Sequence, residues 1–187
     1  MKILLAVFLG CALVGNVLAL DSTARITPEI RGQIDTQKRT LAQWAKDPTV
    51  VAAVRSQNAK GPIPGLTNRK WRSLKLGDPT VTAFQQNPAG QLLSRKMAAS
   101  KGLFNELFLC AAQGEKVAFV EKPSTYIHKG EPKFDVPMSG KPWEGVPEFD
   151  KSSHAHAIQI STPVFDKGKP IGVLVAGVSM RMMKTGH

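Results

Sequence analysis

Cysteine is nearly absent from this chain: there are two in 187 residues, Cys11 and Cys110. Cys11 lies in an apolar N-terminal run, so Cys110 alone belongs to the body of the protein. That excludes an internal disulfide framework and leaves packing to hold the fold. Acidic residues are also scarce, 14 against 25 Lys and Arg, for a formal charge of +11. After the first 20 residues no stretch reaches the ~20 apolar residues that a membrane span needs. The motifs that announce common chemistries are missing too: no Walker loop, no GxGxxG, no HExxH, no Cys-x-x-Cys-His and no Gly-x-Ser-x-Gly elbow. Enzymatic function has no positive support in the sequence.

What is present begins with an export signal. Lys2 supplies a positive flank, Ile3 to Val14 an apolar run, and Val17-Leu18-Ala19 a small-residue cleavage site before Leu20. Residues 1–19 are thus expected to be a signal peptide and 20–187 one domain, large enough for a real core. A retained anchor and lipidation at Cys11 are the alternatives. The basic residues (Arg31, Lys46, Arg55, Lys75, Lys101, Lys116, Lys141 and Lys167) are spread out, which reads as a solvated coat rather than the concentrated stripe of a nucleic-acid binder.

Thr27-Pro28-Glu29 is a helix start: a capping hydroxyl, proline at the first helical position and an acid in the first turn. Ile30, Ile34, Leu41 and Trp44 continue it on one face up to Asp47-Pro48. Residues 49–58 suit a short helix, Thr67 or Asn68 caps a helical turn holding Trp71, and Asn87-Pro88 opens a helix through Met97, with Gly102 as its C′ residue. Gly77-Asp78-Pro79 reads as a break. Leu103 to Tyr126 then reads as a hairpin turning at Gln113-Gly114-Glu115. Strand alternation gives Glu106, Phe108 and Cys110 one face, and puts Val117, Phe119 and Glu121 together on another. Cys110 is expected to be a buried inert thiol, as nothing local supplies a base. Residues 123–153 lack periodicity but hold four aromatics, a functional loop by its length. Residues 158–164 alternate, Asp166 to Pro170 make a turn, and Ile171 to Val178 form a strand buried on both faces. Helices followed by local hairpins imply an α+β fold with an antiparallel sheet.

The hairpin L-F-L-C-A-A-Q-G-E-K-V-A-F-V, the following Ser124-Thr125-Tyr126, Gly130-Glu131-Pro132-Lys133-Phe134, and the closing S-T-P-V-F-D-K-G-K-P-I-G-V-L-V-A-G-V of residues 161–178 resemble the core of Cache (PDC, or extracytoplasmic PAS-like) sensor domains. The resemblance covers about Pro28 to Val178. It implies a long N-terminal helix and shorter helices packed on a PAS-like antiparallel sheet. It also implies extracytoplasmic recognition of a carboxylate, amino acid or amine without chemical turnover, and without a cofactor. With no second membrane helix or output domain, the chain looks like the stand-alone secreted members of that family. It is expected to be periplasmic or secreted and to signal through a membrane-bound partner. An interaction module docking its basic surface on a membrane sensor or polyanionic surface is the alternative.

Ligand-binding candidates are the aromatics Trp71, Phe119, Tyr126 and Trp143, the cations Arg72, Lys122 and Lys133 for a carboxylate, and Glu131 for an amine. Tyr126, at the hairpin exit, is the favoured one. His154-Ala155-His156 has the spacing of a chelate but lacks a third ligand, so two exposed polar residues are the simpler reading. Met180, Met182, Met183 and His187 offer a soft-metal pattern or a frayed tail. Ser152 and Ser153 beside His154 do not by themselves make a triad.

Overall fold

The computed structural model describes residues 26–150 and 155–184. The expected signal segment with Cys11, the Ser152-Ser153-His154 stretch and His187 lie outside the described residues. The element order is α1 (Pro28–Trp44), α2 (Pro48–Lys60), α3 (Asn68–Ser73), α4 (Pro79–Gln86), α5 (Pro88–Ala99), β1 (Phe104–Ala111), β2 (Lys116–Phe119), α6 (Pro132–Met138), β3 (Trp143–Glu144), β4 (Glu148–Asp150), β5 (Ala155–Asp166), β6 (Lys169–Ser179) and α7 (Met180–Lys184).

One capping device recurs. Thr27, Asp47, Asp78 and Asn87 each precede a proline and accept a backbone N–H one turn in, so α1, α2, α4 and α5 all start on a polar cap and a preset φ. The Gly77-Asp78-Pro79 break is therefore also the start of α4. At the end of α5 the left-handed conformation begins at Lys101 (φ 52) and continues through Gly102 (φ 86), one residue earlier than the glycine alone suggests.

All sheet pairings are antiparallel, in the order β2-β1-β6-β5-β3, with β4 also on β5. Asp166 pairs Lys169 across a two-residue turn in which Lys167 and Gly168 both have positive φ (49° and 77°), the geometry that matches strand twist. Central β6 is buried along its length from Gly172 to Ser179. Residues 123–153 are not a plain loop: they hold α6 and two short strands.

The sheet separates two cores. On one face α1, α2 and α5 bring Ile34, Leu41, Val54 and Leu93 against Leu107, Leu109, Ile160, Leu174 and Ala176. Met180 and Met183 of α7 belong to this core, so they are neither a metal pattern nor a frayed end. On the other face the short helices bring Trp71, Val81, Phe84 and Phe134 against Phe108, Cys110, Phe119, Tyr126, Val173 and Val175. A bulge in the β1–β2 pairing shifts the register: Leu109 faces Ala118 but Cys110 faces Lys116. The extra residue breaks alternation. Val117 consequently joins the core under the long helix, while Phe119 joins the other, so the two do not share a face.

Candidate functional site

The second face of the sheet carries three neighbouring constellations. The first is an aromatic clasp. Trp71 packs edge-on against Phe84 and Phe119 (ring centroids 5.9 and 5.7 Å) and lies 5.6 Å from Tyr126. Polar pins fix it: Trp71 Nε1 donates to the Pro123 carbonyl at 2.7 Å, and the Tyr126 hydroxyl accepts from Ile63 N–H at 2.9 Å. Asn68 Oδ1 accepts from the N–H groups of Tyr126 and Ile127, and its Nδ2 donates to the Ile127 carbonyl. Trp71, Phe119 and Tyr126 are each wholly buried, and none of them lines the groove described below. They hold the segment after β2 against α3 and α4. Arg72, one residue on from Trp71, is exposed on α3.

The second is a buried polar cluster. Because of the bulge, Lys116 points inward and is fully buried, the exception to a solvated basic coat. Its Nζ lies 3.7 Å from the centroid of the Phe108 ring and 3.6 Å from Cys110 Sγ. Among the described residues no carboxylate lies within ion-pair distance of it. Burial pulls its pKa down to about 8, partly opposed by Cys110 and Glu106. Burial pushes the Cys110 thiol up, with Lys116 opposing, so the thiol stays protonated even with an amine beside it. His128 stacks on Phe108 at 4.8 Å. Burial, and then the charge of Lys116, depress it to about 4, so it is neutral at pH 7. Its Nδ1–H donates to Glu131 Oε1 at 2.9 Å, and its Nε2 accepts from the Thr125 hydroxyl at 3.0 Å. Burial opposes ionisation of Glu131, but His128 and Lys133 hold its carboxyl below the usual range.

A relay leaves this cluster. Lys133 Nζ lies 3.3 Å from Glu131 Oε2 and donates to Gln159 Oε1 at 3.0 Å, and Gln159 Nε2 donates to Glu106 Oε2 at 2.7 Å. Glu106 and Gln159 face each other across Gly177 of β6. A side chain at Gly177 would run into Asn105 Oδ1 and Glu106 Cβ, so glycine here is what lets the two side chains meet.

The third constellation, above Glu106, Gln159 and Gly177, is a half-open groove of about 1000 Å³. Leu74, Leu76, Lys122, Trp143, Val146 and Phe149 are among the residues that line it. Trp143 is aimed here by strand parity. Its neighbour Glu144 turns to α1, where it accepts from Arg31 Nη1 at 2.5 Å and Lys38 Nζ at 3.1 Å. The Lys122 ammonium donates to the Trp71 carbonyl at 3.0 Å and sits 4.7 Å from the Trp71 ring. Partial burial lowers its pKa.

Of the residues singled out in the sequence, Lys122 and Trp143 line the groove, and Glu131 and Lys133 reach it through the relay. Glu106 and Gln159 in its lining, and Lys116 and His128 in the buried cluster, carry weak sequence signals. Thr125, His128 and Glu131 at three-residue spacing was the one readable hint. His156 lies edge-on to Phe149 at 5.6 Å. Among the described residues no group of three His, Cys, Asp or Glu is placed to hold a metal ion, and no helix is long and apolar enough to cross a membrane.

No family model matches the chain by sequence, and no curated protein does. By structure it is similar to the sensor domain of the Vibrio cholerae histidine kinase DctB, at 13% identity, covering 84% of this chain and 53% of that one, with a TM-score of 0.57. It is also similar to the ligand-binding domain of the Pseudomonas fluorescens chemoreceptor CtaA in complex with L-leucine, at 15% identity, covering 86% and 55%, with a TM-score of 0.48. The chain thus spans about half the length of these structures. The first of them, together with the α+β architecture above, identifies the fold of this chain as that of the PAS-like Cache (PDC) sensor domains.

Proposed function

We propose that the chain is an extracytoplasmic sensor domain that binds a small molecule, an amino acid, amine or carboxylate, without transforming it. Occupancy is read by a membrane-bound signalling partner after export by the leader at residues 1–19. The observation that carries this reading is the groove itself: a concave site of ligand size with a few placed polar groups on its floor and aromatic walls. The groups with strongly displaced pKa values, Lys116 and His128, are buried in the polar cluster from which the Glu131–Lys133–Gln159 relay runs to Glu106. A thermal-shift screen of amino acids, amines and organic acids on the protein without its leader tests the proposal. A rise in Tm with at least one class at millimolar concentration is expected. No shift with any of them overturns it.

One observation favours a second reading, docking on a polyanionic surface. Arg69, Lys70, Arg72 and Lys75 are all exposed along and just beyond α3. Salt-dependent retention on anionic vesicles, lost when these four are replaced by Gln, is its expected signature. Retention unchanged in the variant removes it.

A further inference from the structure

The size, wall chemistry and charge of the groove together narrow the ligand beyond an ordinary amino acid. We infer that the groove takes an amphipathic monoamine: an ammonium group against Glu106 and an extended apolar body along the walls. This deepens the proposed ligand-binding reading and rests on it.

Charge sets the head group. Three carboxylates line the groove, Glu106 on the floor and Glu121 and Glu148 toward the rim. Among the described residues none of them has a cation within ion-pair distance. Glu106 has one neutral partner, the Gln159 amide, held in that orientation because its Oε1 is committed to Lys133. The two nearby lysines are already engaged, Lys122 with the Trp71 carbonyl and Lys133 with Gln159 and Glu131. Lys122 keeps its charge, so the described lining carries three carboxylates and one ammonium: a ligand carboxylate would meet net negative charge, whereas an ammonium would meet an oriented acceptor of opposite sign. The positive charge of the remaining surface is screened over about 8 to 10 Å at ordinary ionic strength, so the local carboxylates decide.

The walls set the body. Leu76, Val146 and Phe149 are 73%, 69% and 54% exposed, which is a large exposure for apolar side chains around one opening. With Trp143 they give the groove an exposed apolar lining. A ligand the size of an amino acid, held at Glu106, would leave most of that lining wet. An alkyl or aryl chain covers it, and each methylene fully buried adds about 0.8 kcal/mol, roughly a fourfold gain in affinity.

The test is a titration of the full exported chain, by calorimetry and tryptophan fluorescence, with butylamine, hexylamine and octylamine. The carboxylates and alcohols of equal length, and free leucine, serve as controls. Amine affinity should rise roughly two- to fourfold per methylene in this half-open site, and exceed that of the matching carboxylate at every length. Glu106→Gln, which keeps an acceptor for Gln159, should lower amine affinity about tenfold or more while leaving the alcohols unchanged. Leu76→Asp and Val146→Ser, both at exposed positions that folding tolerates, should flatten the chain-length dependence. Carboxylates binding as well as amines, Glu106→Gln without effect, or affinity independent of length would each overturn the inference. Leucine binding with no length dependence leaves the sensor reading standing while the amphipathic ligand fails. No binding by any compound means that both fail.

Discussion

Replacing Lys116 with methionine tests the buried cluster most directly. Lys116 is fully buried, has no carboxylate partner among the described residues, and is pulled from an ordinary 10.5 to about 8. At about 1.36 kcal/mol per pH unit, that gap makes charging the amine roughly 3 kcal/mol less favourable in the folded chain than in the unfolded one. The sign follows from proton counting. Between pH 8 and 10.5 the unfolded chain binds the proton and the folded chain does not, so wild-type stability rises with pH across that window. The cost is fully present below pH 8. Methionine keeps the unbranched shape and removes the charge. The ammonium's contact with the Phe108 ring is already contained in that net gap. Lys116→Met should therefore be up to about 3 kcal/mol more stable at pH 7, a rise of about 6 to 10 °C in Tm for a domain of this size. Its advantage should fall by roughly 3 kcal/mol by pH 10.5. Urea unfolding of both proteins at half-unit pH steps measures the difference, in which Tyr and other shared titrations cancel. An advantage that does not change with pH, or a variant less stable at pH 7, would refute the buried-ammonium account.

Acid should destabilise the same cluster from the other side. His128 falls to about 4 in the fold, so the unfolded chain alone takes its proton between pH 6.5 and 4, and stability should drop by roughly 3 kcal/mol over that range. Glu131, held below its usual value, adds loss in the same direction as pH falls further. In His128→Phe, chemical denaturation should show a flatter pH dependence between 6.5 and 4. In the aromatic clasp, Trp71→Ala should cost about 3 to 5 kcal/mol, as deletion of a fully buried ring does. Tyr126→Phe should cost only about 1 kcal/mol, for the bond from Ile63 N–H. Equal losses in the two would contradict a purely structural Tyr126. Gly114→Ala should destabilise by more than 1 kcal/mol, since Gly114 has φ 87° and an added Cβ would collide with Lys129 N; thermal melts report it.

Much of the fold is legible in the order of residues because its signals are local. A polar cap followed by proline starts a helix wherever it stands, and Gly114 or Gly168 turns a hairpin wherever the flanks alternate. The missed α4 had the same Asp-Pro cap as α2; a break before it hid its start. Apolar periodicity likewise put Ile30, Ile34 and Leu41 into one core and made Ile171 to Val178 a buried strand. Cys110 was readable as an inert buried thiol from its neighbours alone.

What tertiary structure alone decided is which polar residues turn inward. One extra residue in β2 reverses the parity of Lys116, and no propensity in that strand records it, because a bulge is fixed by the partner strand. The groove floor is decided in the same way. Glu106 and Gln159 lie 53 residues apart and meet only because β1 and β5 flank the same glycine of β6. Tyr126, the residue that composition and position favoured, is instead consumed by packing against Trp71 and by its bond to Ile63. Sequence determined the architecture, because each element carries its own start, stop and apolar face. The site was decided by register and by contacts distant in sequence, whose energies exist only once the sheet has closed.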